Sequence, residues 1–362
     1  MSATDTVNTN GMMKAIGYSK SLPINESESL IDIEIPQPTA TGHDLLIKIS
    51  AIAVNPVDYK IRQRVSPAEG SASETNYKVL GWDAVGEVIA IGESATQFKP
   101  GDRVYYAGDL NRQGSNAEYQ SVDERLVGIK PSSLSDAEAV ALPLTAITAW
   151  EMLFEHLAIK QQQPTEKEKS NEVILVVGAA GGVGSILLQL AKTLSGATII
   201  ATASRDSSKA WVKKLGADYV VDHTQPLQPQ INDLIEKEGL GQVTHVASLT
   251  HTDSYFDSYI ELLAPFGKIA MIDDPNALDV MKMKPKSLSL HIEFMFARSM
   301  FNAADMNEQS RLLNRVSDLV DQGHIQTTVG KNLGAINAKN LRAAHQELES
   351  GTSIGKIVLQ GF

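Results

Sequence analysis

Hydrophobic and polar positions change their rhythm along this chain. In the first part the apolar runs are short, β-branched and bounded by Gly, Pro or Asp: "LLIKISAIAV" (45–54), "GEVIAIG" (86–92) and "DRVYYAG" (102–108). That pattern predicts strands joined by turns. Pro100-Gly101-Asp102 predicts a turn into the last of them. Few helices are expected here. Near residue 135 the pattern turns helical: "SDAEAVALPLTAITAWEMLFEHL" (135–157) has Ser135 as candidate N-cap, and Pro143 is expected to split it into two helices. The polar run "KQQQPTEKEKSN" (160–171) follows as an exposed loop.

From 172 to about 300 strands alternate with helices. "EVILVVG" (172–178) is continuously apolar, as in a strand buried on both faces of a parallel sheet. In "SILLQLAKTL" (185–194), Leu187, Leu190, Ala191 and Leu194 share one helical face. "ATIIATAS" (197–204), "YVVDH" (219–223), "VTHVASLT" (243–250), "GKIAMID" (267–273) and "SLSLHIEFMF" (287–296) read as further strands. "SSKAWVKKLGAD" (207–218), stopped by Gly216, "INDLIEKE" (231–238) and "SYFDSYIELLAPFG" (254–267) read as helices. Such alternation predicts an α/β fold with a doubly wound parallel sheet. The closing "GKIVLQGF" reads as a strand returning to the first domain.

At 362 residues the chain has room for about two domains. It is 43% hydrophobic and 21% charged, ordinary for a globular protein with a core. The net charge of -11 argues against broad nucleic-acid binding, which needs a basic patch. There is no cysteine. Disulfides, thiolate zinc ligands and a cysteine nucleophile are therefore excluded, and a reducing cytoplasm is the expected compartment. "MSATDTVNTNG" has no apolar core of a signal peptide and is expected to be a disordered extension over 1–11. No apolar run is expected to span a membrane.

The strongest local signal is "VVGAAGGVGS" (176–185), a strand, a glycine-rich turn and a helix in that order. Gly178, Gly181 and Gly184 are spaced GxxGxxG rather than GxGxxG. The physics is shared: a tight turn, close backbone approach to a pyrophosphate, and helix N-terminal amides facing the anion. Gly178, Ala180, Gly181, Gly182, Val183 and Gly184 are the candidate phosphate-binding residues. The second strand then ends at Ser204-Arg205, with Lys209 one turn into the next helix. A hydroxyl and a guanidinium where a ribose-binding carboxylate would otherwise stand favour the 2′-phosphate of NADP(H). Asp206 reads as a helix N-cap. Ser248, Leu249, Thr250 and Ile272 end later strands and are candidate cofactor contacts by topology.

"VNPVDYKIR", "GWDAVGEV", "KPGDRV", "SNAEY", "LPLTAITAWE" and "VVGAAGGVGSILLQLAK" together resemble the medium-chain dehydrogenase/reductase superfamily. Within it the chain is similar to the zinc-free quinone oxidoreductase branch, and its tail resembles bacterial zinc-type alcohol dehydrogenase-like proteins. The resemblance implies a GroES-like catalytic domain over 12–142 and 301–362 and a Rossmann dinucleotide-binding domain over 143–300. It places a cysteine ligand of zinc alcohol dehydrogenases at Asn55, a histidine ligand at Trp82 and a second cysteine near Leu144 and Thr145. All three are replaced, the relay hydroxyl is replaced by Val57, and no metal is expected.

What remains implied is NADPH-dependent hydride transfer to a quinone or an α,β-unsaturated carbonyl, a small-molecule substrate. Zinc-type alcohol oxidation and a non-catalytic NADPH-binding role are the alternatives. Asn55 is implied to bond the nicotinamide ribose or substrate, or else to cap the turn before Pro56. Tyr59, a candidate donor to the developing oxyanion or else a packing residue, and Lys60 complete the candidate catalytic set. Thr148 resembles a cofactor contact of the branch. Trp82, Phe294 and Phe296 are candidate pocket residues, with core packing the alternative. A sixth strand at the sheet edge is expected to pair with its copy in a homodimer.

Overall fold

The computed structural model describes residues 11–67 and 76–362. The chain forms two compact units. One holds the chain up to Leu144 with Phe296–Asp321 and Thr327–Phe362; the other holds Thr145–Met295 with Gln322–Gln326. Most of the expected N-terminal extension and part of the loop after Arg64 lie outside the described residues.

The first unit is β-rich. Its strands are β1 (Met12–Tyr18), β2 (Ile31–Pro36), β3 (Asp44–Val54), β4 (Lys78–Val79), β5 (Asp83–Ile91), β6 (Arg103–Tyr106), β7 (Tyr119–Asp123) and β8 (Val127–Ile129). Between β3 and β4 lies a helix, α1 (Pro56–Arg64), which the strand-dominated reading of this region overlooked. Its start is encoded locally. Pro56 occupies the first turn, where its missing N–H is harmless, and the Asp58 carboxylate Oδ2 accepts the Asn55 N–H at 2.6 Å. Tyr59 is therefore a helical residue, not one of a strand. Next comes α2 (Asp136–Ala139), with Ser135 as its N-cap, as expected; the Ser135 N–H donates to Glu138 Oε2 at 2.9 Å. Pro143 opens α3 (Pro143–Trp150), whose path continues through a π-helical segment, Glu151–His156. Against expectation, the run Asp136–His156 is long and apolar enough by composition to cross a membrane, with mean hydropathy 1.3 over its most apolar stretch. That stretch is 78% buried inside the protein, as befits a core segment.

The second unit carries β9 (Val173–Val177), α4 (Gly182–Leu194), β10 (Thr198–Thr202), α5 (Asp206–Lys214), β11 (Tyr219–Val221), α6 (Leu227–Glu238), β12 (Val243–Ser248), α7 (Thr252–Leu262), β13 (Leu263–Met271) and β14 (Ser289–Ile292). These strands form one parallel sheet in the order β11-β10-β9-β12-β13-β14. From its centre the order reverses after three strands, the doubly wound arrangement that places a ligand crevice at the switch between β9 and β12. Every residue of β9 is buried, as its unbroken apolar run requires. Leu175, Val177, Ile200, Val246, Phe256 and Ile269 share one core cluster. The expected sixth strand is present, but it ends at Ile292, so Phe294 and Phe296 lie beyond it.

The chain then returns to the first unit through α8 (Ala297–Met300), α9 (Glu308–Asp321), β15 (Val329–Asn332), α10 (Ala338–Glu349) and β16 (Lys356–Gln360). As expected, the last strand rejoins the first part of the chain: β16 runs antiparallel to β3, with Ile357 opposite Val54 and Val358 opposite Ala53. It belongs to a seven-stranded sheet in which β15-β16-β3-β5-β6-β8 run in that order and β7 also pairs with β3. The pairing of β16 with β3 sets Lys356 beside the start of α1.

Candidate active site

In the second unit, Gly178 leaves β9 at φ +80°, a left-handed conformation that favours glycine. A Cβ there would sit 3.0 Å from the Thr250 methyl and 3.3 Å from Leu249 Cβ, so these two residues wall the turn. Gly181 caps α4, and Gly184 lies against the Ala179 carbonyl so closely that a Cβ would come within 2.4 Å of it. Gly178, Ala180, Gly181, Gly182 and Val183 are half-buried and present their backbone at the helix N-terminus. This cradle fits a pyrophosphate: open backbone, small residues and the positive end of a 13-residue helix. Ser185 and Trp211 brace it, with Trp211 Nε1 donating to Ser185 Oγ at 2.9 Å.

The ends of β10 and β11 carry the residues expected from the sequence to lie at the ribose end of a dinucleotide. Ser204 is half-buried and Arg205 exposed. Arg205, not Asp206, is the N-cap of α5, which corrects that reading. Ser204 Oγ lies 3.4 Å from His223 Nε2, and Lys209 Nζ lies 3.4 Å from Asp222 Oδ2. His223 was not singled out from the sequence. It arrives because β11 pairs in parallel with β10, with Val221 opposite Thr202. Ser204 and His223, and Lys209 and Asp222, thus pair at the ends of β10 and β11, next to Arg205 in the chain. The Asp222 carboxyl is held below the usual carboxylate range by the Thr224 hydroxyl and N–H and then by Lys209. Its oxygens are occupied by those partners.

The remaining strand-end candidates divide. Leu249 and Thr250 flank Gly178, as above. Ile272 donates its N–H to the Ser248 carbonyl at 3.3 Å. Ser248 itself is fully buried, and its hydroxyl is shared with Thr252 Oγ1 (2.7 Å) and Tyr259 OH (2.9 Å), so its side chain turns inward. Thr148 is buried in α3. Phe294 is 48% exposed.

In the first unit, a buried polar cluster occupies the start of α1. Asn55, Asp58, Asp83 and Lys356 are each at most 3% exposed. Asn55 Nδ2 donates to Asp83 Oδ2 at 2.8 Å and makes a longer contact, 3.4 Å, to the Ala53 carbonyl. Asn55 Oδ1 accepts from Lys356 Nζ. The Asn55 amide is therefore committed within the unit. Asp83 Oδ1 accepts the Leu144 N–H at 2.7 Å, and Lys356 donates to Asp83 Oδ2 at 2.9 Å. Asp58 Oδ2 takes the Asn55 N–H, whereas Asp58 Oδ1 has no partner among the described residues. Burial above all pushes the Asp58 carboxyl up to about 7; neighbouring Asp83 adds to this, and the Asn55 N–H and Lys356 oppose it. Tyr59 and Lys60 are half-buried on the next residues of the helix. Trp82 is fully buried, edge-on to Phe296 with ring centres 6.2 Å apart, and donates its Nε1–H to the Asp109 carbonyl at 3.2 Å.

The chain is 41% identical over 349 residues to a zinc-type alcohol dehydrogenase-like protein of Staphylococcus aureus strain MSSA476, covering 96% of this chain and 99% of that protein. The chain belongs to the medium-chain dehydrogenase/reductase superfamily. Residues 41–143 match the alcohol dehydrogenase GroES-like domain, and residues 182–313 match the zinc-binding dehydrogenase family. A Rhizobium etli CFN 42 structure, provisionally described as a zinc-dependent alcohol dehydrogenase, superposes with a TM-score of 0.91 at 49% identity, over 98% of this chain and 99% of that one. The quinone oxidoreductase of Coxiella burnetii has a TM-score of 0.76 at 25% identity, over 97% of this chain and 100% of that one. An Arabidopsis thaliana chloroplastic NADPH-dependent alkenal/one oxidoreductase is 36% identical over 213 residues, 57% of this chain and 51% of that protein.

The metal that some superfamily members are named for does not fit the residues present here. Zinc takes thiolate, imidazole or carboxylate ligands. At the positions the resemblance implies stand an amide, a buried indole and, near the third, the Leu144 alkyl and Thr145 hydroxyl side chains. Of the two carboxylates beside these positions, Asp83 is spent on an ammonium, an amide and a backbone N–H, and Asp58 takes the Asn55 N–H. Among the described residues no group of three or more His, Cys, Asp or Glu is placed to hold a metal ion. Lys356 is the functional candidate that sequence reading missed. Its partners are 273 and 301 residues away, and "GKIVL" carries no local sign of them.

Proposed function

We propose that this member of the superfamily is an NADPH-dependent reductase of quinones or α,β-unsaturated carbonyls that works without a metal. The observation that carries the reading is the set around Asn55, whose amide is taken up by the Lys356 ammonium and the Asp83 carboxylate rather than left for a metal. Without a Lewis acid to stabilise an alkoxide, hydride transfer to an already electrophilic carbon is the accessible chemistry. The names of the Arabidopsis and Coxiella relatives support that acceptor class.

In this reading Gly178 to Gly184 hold the pyrophosphate through backbone amides. Arg205, Lys209, Ser204 and His223 receive the 2′-phosphate. The dinucleotide, when bound, supplies a hydride from its nicotinamide ring. The electron pair displaced in the acceptor moves onto its carbonyl oxygen, where Tyr59 donates a hydrogen bond and then a proton, which water replaces. Lys60 adds positive charge beside it. Asn55 acts by fixing the first turn of α1. A reducing cytoplasm is the setting.

The test follows loss of reduced nicotinamide with quinones, 2-alkenals and saturated ketones, after dialysis against a chelator, with NADPH and with NADH. Turnover of quinones or alkenals that survives chelation is expected. Activity lost on chelation and restored by zinc would overturn the reading. Arg205→Ala is expected to raise KM for NADPH about 10- to 100-fold, as befits one charged hydrogen-bonded contact. KM for NADH should change little; an equal rise for both cofactors would remove Arg205 from the 2′-phosphate site.

The same proposal includes a homodimer. β14 is the outer strand of its sheet, with Ile292 66% exposed, and its free edge offers unpaired backbone groups. Sedimentation should show a dimer for the wild type and a shift to monomer for Ile292→Asp. An unshifted dimer would place the interface elsewhere.

A further inference from the structure

We propose that Lys356 is a positioning residue whose ammonium, caged by three oxygens, holds Asn55 and Asp83 and so sets the geometry of the chain carrying Tyr59 and Trp82. The proposal rests on the reductase reading above for its catalytic consequence. An ammonium has three hydrogens and no acceptor. All three are used here: one goes to the Val54 carbonyl at 3.1 Å, one to Asp83 Oδ2 at 2.9 Å and one to Asn55 Oδ1. Lysine suits this arrangement, because three tetrahedral donors converge on three separate oxygens. A planar guanidinium fork would not.

The cage ties four stretches of chain, three of them at neighbouring strand ends of the β16-β3-β5 sheet and the fourth outside it. Lys356 opens β16. Val54 and Asn55 join β3 to α1. Asp83 opens β5, directly after Trp82. Leu144 lies at the start of α3 and is tied through its N–H to Asp83 Oδ1. The same chain of bonds reaches α1, since the Asn55 N–H is held by Asp58 at 2.6 Å, one residue before Tyr59. One ammonium and one carboxylate thus cross-link the positions at which other superfamily members are expected to place ligands around a metal.

Stability alone does not explain this device. A buried ion pair is commonly no more stabilising than apolar residues of similar volume, because both charges lose their hydration. What the pair does supply is geometry, through five directed hydrogen bonds to or from Lys356 and Asp83. Misplacing reacting groups by about 1 Å costs roughly 100-fold in rate.

The informative variant is the double substitution Asp83→Asn with Lys356→Met, which removes both charges together. Lys356→Met alone strands the Asp83 carboxylate in the core and is expected to unfold. Melting temperature, kcat, KM for NADPH and amide exchange at Asn55, Tyr59 and Leu144 are measured on the double variant and the wild type. The expected result is a folded protein with kcat lowered about 10- to 100-fold, an unchanged KM for NADPH, and faster exchange at those amides. A folded double variant with wild-type kcat and wild-type exchange would overturn the proposal. A lowered melting temperature with unchanged kcat would also overturn it, by showing the cage to be structural alone. Should the wild type turn over no acceptor, the reductase reading fails and exchange decides the positioning: faster exchange sustains it, unchanged exchange ends it.

Discussion

Replacing Arg62 with methionine is expected to destabilise the protein by about 3–5 kcal/mol, the usual cost of breaking one half of a buried charged network. Arg62 is fully buried on α1. Its Nη2 donates to Glu349 Oε1 at 2.5 Å, its Nη1 to the Leu22 carbonyl, and its Nε to His345 Nδ1 at 3.4 Å. Glu349 and His345 both belong to α10, so one guanidinium clamps α1 to α10 and to the loop after β1. His345 is fully buried, and burial first and the Arg62 charge second hold its imidazole down to about 3. It is therefore neutral near pH 7 and accepts the Nε–H. Methionine fills similar volume but leaves the Glu349 carboxylate, half-sheltered, and the Leu22 carbonyl without their donor. Denaturant melts of wild type and Arg62→Met give the comparison. A loss below about 1 kcal/mol, the scale of an exposed pair, would show that the network contributes no more than a surface ion pair.

Asp58→Asn is expected to make the protein more stable at neutral and alkaline pH, by up to about 4 kcal/mol, since each tenfold change in proton affinity is worth about 1.36 kcal/mol. The sign follows from the raised carboxyl. Its folded value is about 7 against the ordinary 3.8, so between these the folded protein binds a proton that the unfolded chain has released. Stability due to Asp58 is complete below about pH 4 and is lost as the pH rises toward about 7. Charge explains the direction. With Asp58 protonated, the cluster holds one ammonium and one carboxylate; ionising Asp58 adds a second buried negative charge with no donor at its Oδ1. Asparagine keeps an oxygen for the Asn55 N–H and cannot ionise. The gap between variant and wild type should open from about pH 4 to about pH 7 and stay constant above. His345, whose lowered value weakens the fold as pH falls from 6.5 toward about 3, is common to both proteins and cancels. Parallel pH curves would show that Asp58 is already ionised in the fold.

How much was legible depended on distance along the chain. The glycine turn could be read because strand, turn and helix are contiguous, and because left-handed backbone at Gly178 favours glycine. The doubly wound sheet could be read because alternating apolar runs and amphipathic runs carry their periods locally. The first helix carried a local signal too, asparagine, proline and aspartate at 55, 56 and 58, and was missed because the surrounding strands dominated the pattern. The Ser204–Arg205 corner was half legible: both residues lie at a strand end, but His223 joins them through a parallel pairing that no local motif encodes.

The sequence by itself therefore determined the doubly wound fold, its glycine turn and the absence of cysteine. Each of these is a property of residue identity or of spacing within about twenty positions. Only the tertiary structure decided what Asn55 and the Leu144 N–H bond to. Lys356 reaches Asn55 and Asp83 because β16 closes antiparallel on β3, and Arg62 meets Glu349 because α10 packs on α1. Such contacts depend on strand register and helix packing, which are set when distant apolar faces are buried together.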